Sequence, residues 1–142
     1  MKIVLASVLI LALCLASQPV YGTEDDDKWV MSVLVACVFL TQDMEDIITA
    51  ANNMDFDGLC DGFIALYGHA NAAEEESEKY SVSRELGYSK KEYEYALDDF
   101  KTAASYGYQG VDEMDSTKIN LASIYIERGS EHLASATDAL PQ

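Results

Sequence analysis

Proline and basic side chains are scarce in this chain. The only prolines among the 142 residues are Pro19 and Pro141, so no proline between them interrupts a helix. Lysine and arginine together number 9, against 25 aspartates and glutamates, and the formal net charge is −16. Such an acidic surface repels the phosphates of nucleic acids and of anionic lipids. We therefore expect neither of them as a partner.

Sequence motifs for catalysis, cofactors or metals are also missing. The two histidines, His69 and His132, belong to no Glu-x-x-His pair of the kind that di-iron bundles use. No Cys-x-x-Cys-His occurs for covalent haem, and no cysteine–histidine spacing is typical of zinc. No motif in the sequence places a nucleophile, a base and an orienting acid in a pattern typical of a catalytic site. The sequence therefore predicts no enzyme, no cofactor and no metal site.

The start of the chain has the pattern of an export signal. Lys2 provides a positive charge, and residues 3–15 form a run that is apolar except for one serine. Small residues just before Thr23 predict cleavage there. The sequence thus predicts a signal peptide at 1–22 and a single secreted or extracytoplasmic domain at 23–142. Membrane contact is expected only if the signal remains attached as an anchor.

Four segments after the signal have helical spacing of apolar residues. Segment A covers about residues 25–52, and segments B, C and D follow connections at 53–55, 83–88 and 108–114. Apolar side chains recur every three or four positions and do not alternate as in a strand, so all four segments are expected to be helices. Short connections make neighbouring helices antiparallel. The sequence therefore predicts an all-α, up-down-up-down four-helix bundle.

Each segment follows a helix-start signal. Thr23 and Ser89, each followed three residues later by an acidic side chain, open segments A and C. Asp55 and Asp115 are the expected N-caps of segments B and D. The flanking residues predict apolar staples that pair Met54 with Leu59, Tyr88 with Tyr93 and Met114 with Ile119.

Segment A carries more apolar surface than one bundle helix buries. From Trp29 to Leu40, only Ser32 is polar. If Trp29 and Leu40 face the core, a rotation of 100° per residue places three apolar side chains on the opposite side, namely Met31, Val35 and Val38. Such a stripe rarely remains in water, so we predict an interface with a second copy of the chain or with another protein. The alternatives are burial by the loops or a rotated core, and shallow membrane contact.

Two tyrosines on segment C form another candidate surface. If Leu97 and Phe100 face the core, Tyr95 and Tyr106 project outward beside Asp99 and other acids. Flat amphipathic rings among carboxylates can bind sugars, peptides or cations. The alternative is that both rings lean on neighbouring helices as ordinary packing.

The stretch from Asn53 to Gly58 resembles the start of an EF-hand calcium loop. Oxygen-bearing side chains stand at positions 1, 3 and 5, glycine stands at position 6, and Asp61 falls at position 9. Position 12 is Ile64, where that loop has a bidentate glutamate. The N-cap role of Asp55 explains the same residues, so a calcium site is only an alternative.

Cys37 and Cys60 are the cysteines that remain after removal of the signal. A hairpin that turns at about residue 54 separates them by about 16 Å along the helices, too far for a disulfide. Two buried thiols or a bridge between chains are left as alternatives.

The predicted function is therefore that of an exported, non-catalytic interaction or structural module. It would bind a protein partner or a second copy of itself through segment A. The alternative is a bundle that binds a small ligand or a divalent cation, using gaps that alanine and glycine leave in the core.

Overall fold

A computed structural model describes residues 22–140. It contains four long helices: α1 (Glu24–Asn52), α2 (Phe56–Ser77), α3 (Gly87–Asp112) and α4 (Ser116–Asp138). A 3-10 turn, Arg84–Leu86, precedes α3, and this part of the chain has no strand. The all-α prediction is confirmed. The predicted signal lies, apart from Gly22, outside the described residues.

Three of the four predicted helix starts are confirmed. Thr23 caps α1 in a reciprocal capping box with Asp26. Asp55 accepts a hydrogen bond from the N–H of Gly58 at 3.0 Å at the start of α2, and Asp115 caps α4 in the same manner. Each cap satisfies backbone N–H groups that the first helical turn leaves without a partner.

The predicted start at Ser89 is wrong. The third helix begins two residues earlier, at Gly87, directly after the 3-10 turn. Ser89 is buried, and its hydroxyl donates to the backbone carbonyl of Ala136 in α4. Glu92 pairs with His132 instead of completing a capping box. Ser89 therefore joins two helices, through a partner too distant in the chain for a local pattern to reveal.

The α1–α2 and α3–α4 turns have the same backbone geometry. Met54 and Met114 have φ angles of 54° and 52°, and the N–H of the next residue donates to the carbonyl of Ala50 or Gly110, at 2.9 and 2.8 Å. This left-handed conformation directs both methionines into solvent, where they are 77% and 80% exposed. The staples predicted for them therefore do not form, and Tyr88 is exposed as well.

Large side chains fill the centre of the bundle. Trp29, Tyr93 and Phe100 are buried, and the rings of Trp29 and Tyr93 meet edge to face at 6.0 Å. The indole N–H of Trp29 donates to the hydroxyl of Ser77 in α2 at 2.9 Å, so its polar edge has a partner. Burial raises the pKa of the Tyr93 hydroxyl. Leu40, predicted to face inward, is also fully buried.

Glycines lie where the helices approach closely. A Cβ added to Gly107 of α3 would come within 2.3 Å of the Phe63 ring in α2. One added to Gly129 of α4 would come within 2.9 Å of the Phe100 ring. Phenylalanine rings thus fill the space above these glycines.

Consecutive helices pack against one another along the chain. In the first pair, Gly62 lies against Ile47 close to the turn, and Ser77 near the end of α2 contacts Trp29 near the start of α1. Among the described residues, no helix has the length and apolarity needed to cross a membrane.

Candidate functional site

An open groove of about 620 Å³ runs between α1 and α2. Met31, Val35 and Phe39 of α1 line it, and they are 52%, 53% and 49% exposed. Ala72 and Ala73 line it from α2. Because the alanine side chains are short, they leave open space beside the larger side chains of α1. We refer to this feature as the α1–α2 groove.

The α1–α2 groove follows from the two apolar faces of α1. Met31, Val35 and Phe39 are four residues apart, so they lie along one line of the helix surface. Trp29 and Leu40 lie on the opposite side and are fully buried. One face of α1 therefore fills the core, and the other remains available in the groove.

The three predicted interface residues of segment A are all exposed, but they do not all line the groove. Met31 and Val35 do, whereas Val38, which is 50% exposed, lies outside it. Val38 directly precedes Phe39, so it is rotated by about 100° from the Phe39 side chain that lines the groove at the same level of the helix. Phe39, which sequence reasoning did not select, lines the groove in its place.

A histidine–carboxylate pair lies at the groove. Nδ1 of His69 is 2.7 Å from the carboxylate of Asp43, and the ring of Phe39 stacks on the imidazole with centroids 5.0 Å apart. Asp43 is nearly buried. Burial raises the pKa of Asp43, and the hydrogen bond with His69 limits that rise. The pair joins α1 to α2, and no short-range spacing could have linked residues 26 positions apart.

One end of the groove is strongly acidic. Residues 24–27, in the first turn of α1, are all acidic, and residues 74–78, at the end of α2, include four glutamates. The hydrogen bond between Trp29 and Ser77 holds these two helix ends together. Asp27 and Glu76, one from each end, line the groove itself.

Few basic groups balance these acids. Lys28 is paired with Glu24 at 2.6 Å and Lys79 with Glu76 at 2.5 Å. The last turn of α2 contains no basic residue, although the C-terminal end of a helix dipole is itself negative. Lysines nevertheless neutralise part of this end, because Lys28 also lines the groove and Nζ of Lys90 donates to the carbonyls of Ser77 and Tyr80 at the end of α2.

Tyr95 and Tyr106 both lie against α4. The ring of Tyr95, which is 43% exposed, is 5.4 Å from the imidazole of His132. Tyr106 is half-buried and stacks on Tyr125 at 5.8 Å. Tyr106 thus packs against α4, which is the alternative stated for it in the sequence analysis, and it lies one turn from the buried Ala103.

Charged side chains between these rings join α3 to α4. Nδ1 of His132 is 2.7 Å from Glu92. Arg128 donates two hydrogen bonds to the nearly buried Asp99 and lies 4.5 Å from the centre of the Tyr125 ring. Every charged group here has a partner, so the cluster is explained as a contact between helices.

A second, polar groove of about 520 Å³ lies beside Tyr67 and Tyr106. Its lysine, Lys101, is held by Glu74 at 2.6 Å and by Asp98 at 3.1 Å. Burial alone would lower the pKa of Lys101, but these two carboxylates outweigh it and raise the pKa. The lysine is therefore engaged within the chain.

The stretch that resembles a calcium loop is the start of a helix. α2 begins at Phe56, and the carboxylate of Asp55 is used as its cap. Across residues 22–140, no three His, Cys, Asp or Glu side chains are grouped so that they could hold a metal ion.

Cys37 and Cys60 are not joined by a disulfide. Cys37 is buried and Cys60 is half-buried. Burial raises the pKa of the Cys60 thiol, and the nearby carboxylates of Asp112, Asp57 and Asp61 raise it further. Because the thiolate is the reactive form, the raised pKa makes the Cys60 thiol less reactive at neutral pH.

No protein-family model matches the chain, and comparisons with curated proteins and with solved structures find no significant similarity. A function is therefore argued from the α1–α2 groove.

Proposed function

We propose that this chain is an exported, non-catalytic interaction module that docks a protein segment in the α1–α2 groove. The observation that carries the proposal is that Met31, Val35 and Phe39 remain half exposed around about 620 Å³ of open space. Contiguous exposed apolar surface of this kind is typical of binding sites. Covering three half-exposed side chains would contribute about 3 kcal/mol.

The proposed architecture is an up-down-up-down bundle that follows a cleaved signal. The order of contacts supports it, because Gly62 meets Ile47 near the first turn and Ser77 meets Trp29 far from it. The positive charge and apolar run of residues 1–22 support export.

The open side of the groove favours a protein segment over a small molecule. Small-molecule sites bury about 70–90% of their ligand, whereas a ligand in this groove would keep one side in water. A helix from a partner would cover the groove with its apolar face and keep its polar face in solvent.

Self-association through the outer side of α1 is the second candidate. Val38 continues the exposed stripe beyond the groove and is 50% exposed. A dimer that covers Met31, Val35 and Val38 together would bury Val38, which a segment docked in the groove would leave exposed.

Val35→Glu and Val38→Glu form a matched pair of test variants. Both place the same charge on α1, at positions that are 53% and 50% exposed, but only Val35 lines the groove. The probe is a labelled, uncharged amphipathic peptide of leucine and glutamine, about three to four helical turns long. We expect saturable one-to-one binding to the protein purified from an exporting host. Val35→Glu should abolish binding, and Val38→Glu should retain it.

Equal effects of the two variants, or failure of every amphipathic peptide to bind, would contradict groove docking. Light scattering on the same samples tests the second candidate. A dimer that both variants convert to monomers would support self-association through the outer stripe. Thermal unfolding of each variant checks that the fold is intact.

A further inference from the structure

We infer that the signal, residues 1–22, folds back into the α1–α2 groove while it is still attached, and that its removal opens the groove. The inference rests on the proposed function in one respect, namely that the open groove then docks a partner. It is carried by the position, length and polarity of the groove relative to the apolar run of residues 3–15.

The groove begins close to the point where the signal joins the domain. Thr23 caps α1, and the lining of the groove starts about one turn later, at Asp27. The apolar run ends at Leu15, so the seven residues 16–22 connect it to Thr23. Seven residues reach about 24 Å when extended, whereas packed helices lie about 8–10 Å apart. The connection also contains Pro19, which cannot continue a helix, so the run is able to reverse direction and lie beside α1.

The apolar run matches the groove in length. On α1 the lining extends from Asp27 to Phe39, which is thirteen residues, and the run of residues 3–15 is also thirteen residues long. A helix of this length covers about 20 Å. In the reversed direction, Leu15 would lie level with Asp27, and Ile3 would lie level with Phe39. The run would therefore cover the groove from one end to the other.

The two surfaces also match in polarity. Met31, Val35 and Phe39 are about half exposed in the groove, and Ala72 and Ala73 line it from α2. The run contains no charged residue and only one serine. In a chain that retains the signal, each of these apolar surfaces needs a cover, because contiguous apolar surface rarely remains in water. Docking of the run in the groove covers both surfaces at once.

Attachment favours the signal over any free segment. A segment on a short flexible connection is present at an effective concentration of about millimolar. A partner at micromolar concentration would therefore compete poorly for the groove until cleavage before Thr23 releases the signal. A second copy of the chain has no such advantage, and the net charge of −16 opposes its approach.

A disulfide that traps the docked signal tests the contact directly. Cys14 precedes Leu15 at the end of the run, so docking brings it to the first part of the groove, within about one helical turn of the level of Met31. Met31→Cys and Val38→Cys form a matched pair, because the two side chains are 52% and 50% exposed but only Met31 lines the groove.

The trapping experiment uses the full chain 1–142, made in a cell-free system without membranes. Under mild oxidation, we expect Cys14 to form a disulfide within the Met31→Cys chain at least tenfold faster than within the Val38→Cys chain, because only the first pair comes within bonding distance. Peptide mapping identifies the bonded pair, and a further substitution, Cys14→Ser, should abolish the bond.

Access to the groove is measured with the uncharged leucine–glutamine peptide. We expect the full chain to bind this peptide at least tenfold more weakly than the protein that begins at Thr23, because the attached signal occupies the same surface. Cleavage of the full chain by signal peptidase should restore the affinity.

The outcomes separate this inference from the proposed function. Equal rates of disulfide formation in the two variants, disulfides only between chains, or aggregation of the full chain at micromolar concentration would overturn docking of the signal. Equal peptide binding by the full and the processed chains would overturn it as well, and would leave the proposed function standing if Val35→Glu still abolishes binding. Preferential trapping with Met31→Cys, together with no peptide binding to either form, would support the contact of the signal and overturn the docking of a partner.

Discussion

Gly107 and Gly68 both lie within helices but have different surroundings. A Cβ on Gly107 would come within 2.3 Å of the buried Phe63 ring, whereas one on Gly68 meets no atom within 4 Å. We expect Gly107→Ala to lower the free energy of unfolding by about 1–3 kcal/mol, because the packed ring cannot move away freely. Gly68→Ala should raise it by about 0.5–1 kcal/mol through helix propensity. Urea unfolding of both variants checks the prediction, and the same sign for both would contradict it.

Asp26 ties the start of α1 to the segment that follows α2. Its carboxylate accepts the N–H of Thr23 at 3.1 Å and the N–H of Ser83 at 2.7 Å. Burial favours the neutral carboxyl, but the hydrogen bonds from Ser83 and Thr23 outweigh it and lower the pKa of Asp26 below 3.8. The native state then holds fewer protons than the unfolded state between that lowered pKa and 3.8. This contribution to stability is complete above pH 3.8 and is lost as the pH falls through the lowered pKa.

We expect Asp26→Asn to lower the free energy of unfolding at pH 7 by about 2 kcal/mol, because an amide cannot accept both hydrogen bonds. The difference between wild type and variant should shrink below pH 3.8. Comparing the two proteins by urea unfolding removes the general effect of acid on this highly charged chain. Glu127→Gln is the control, since it removes an exposed carboxylate from α4. A difference that does not change with pH would show that Asp26 is not the titrating group.

At the scale of the whole molecule, removal of the predicted signal should change the stability of the folded chain through the amine of Thr23. Cleavage at the predicted site would place a free ammonium group where the Thr23 N–H now donates to Asp26 at 3.1 Å. The helix dipole opposes a cation there by about 0.3–1 kcal/mol, but a charge-assisted bond to the fully buried Asp26 is stronger. We expect the chain with a free Thr23 amine to be about 1 kcal/mol more stable than the acetylated chain.

Mass spectrometry of the exported protein tests whether cleavage produces the free amine of Thr23. The intact mass should correspond to a polypeptide that begins at Thr23. A protein that keeps residues 1–22 and remains with the membrane fraction would identify the signal as an anchor. In that case the amine at Thr23 would not exist in the native protein.

The sequence by itself determined the helices, because their signals act over a few residues. Apolar positions recur at a helical period, and Thr23, Asp55 and Asp115 each cap backbone groups within four positions of themselves. The exposed apolar side of α1 also follows from rotation along one helix. These features need no knowledge of the neighbouring helices.

Only the tertiary structure decided which side chains share a surface. Met31 and Val35 line the groove and Val38 does not, because α2 lies on one side of the stripe. Ser89 donates to a carbonyl of α4 rather than capping α3, and Tyr106 stacks on Tyr125 of α4. Both partners belong to a different helix. Such contacts depend on how packed helices are rotated against one another, and local periodicity leaves that rotation open.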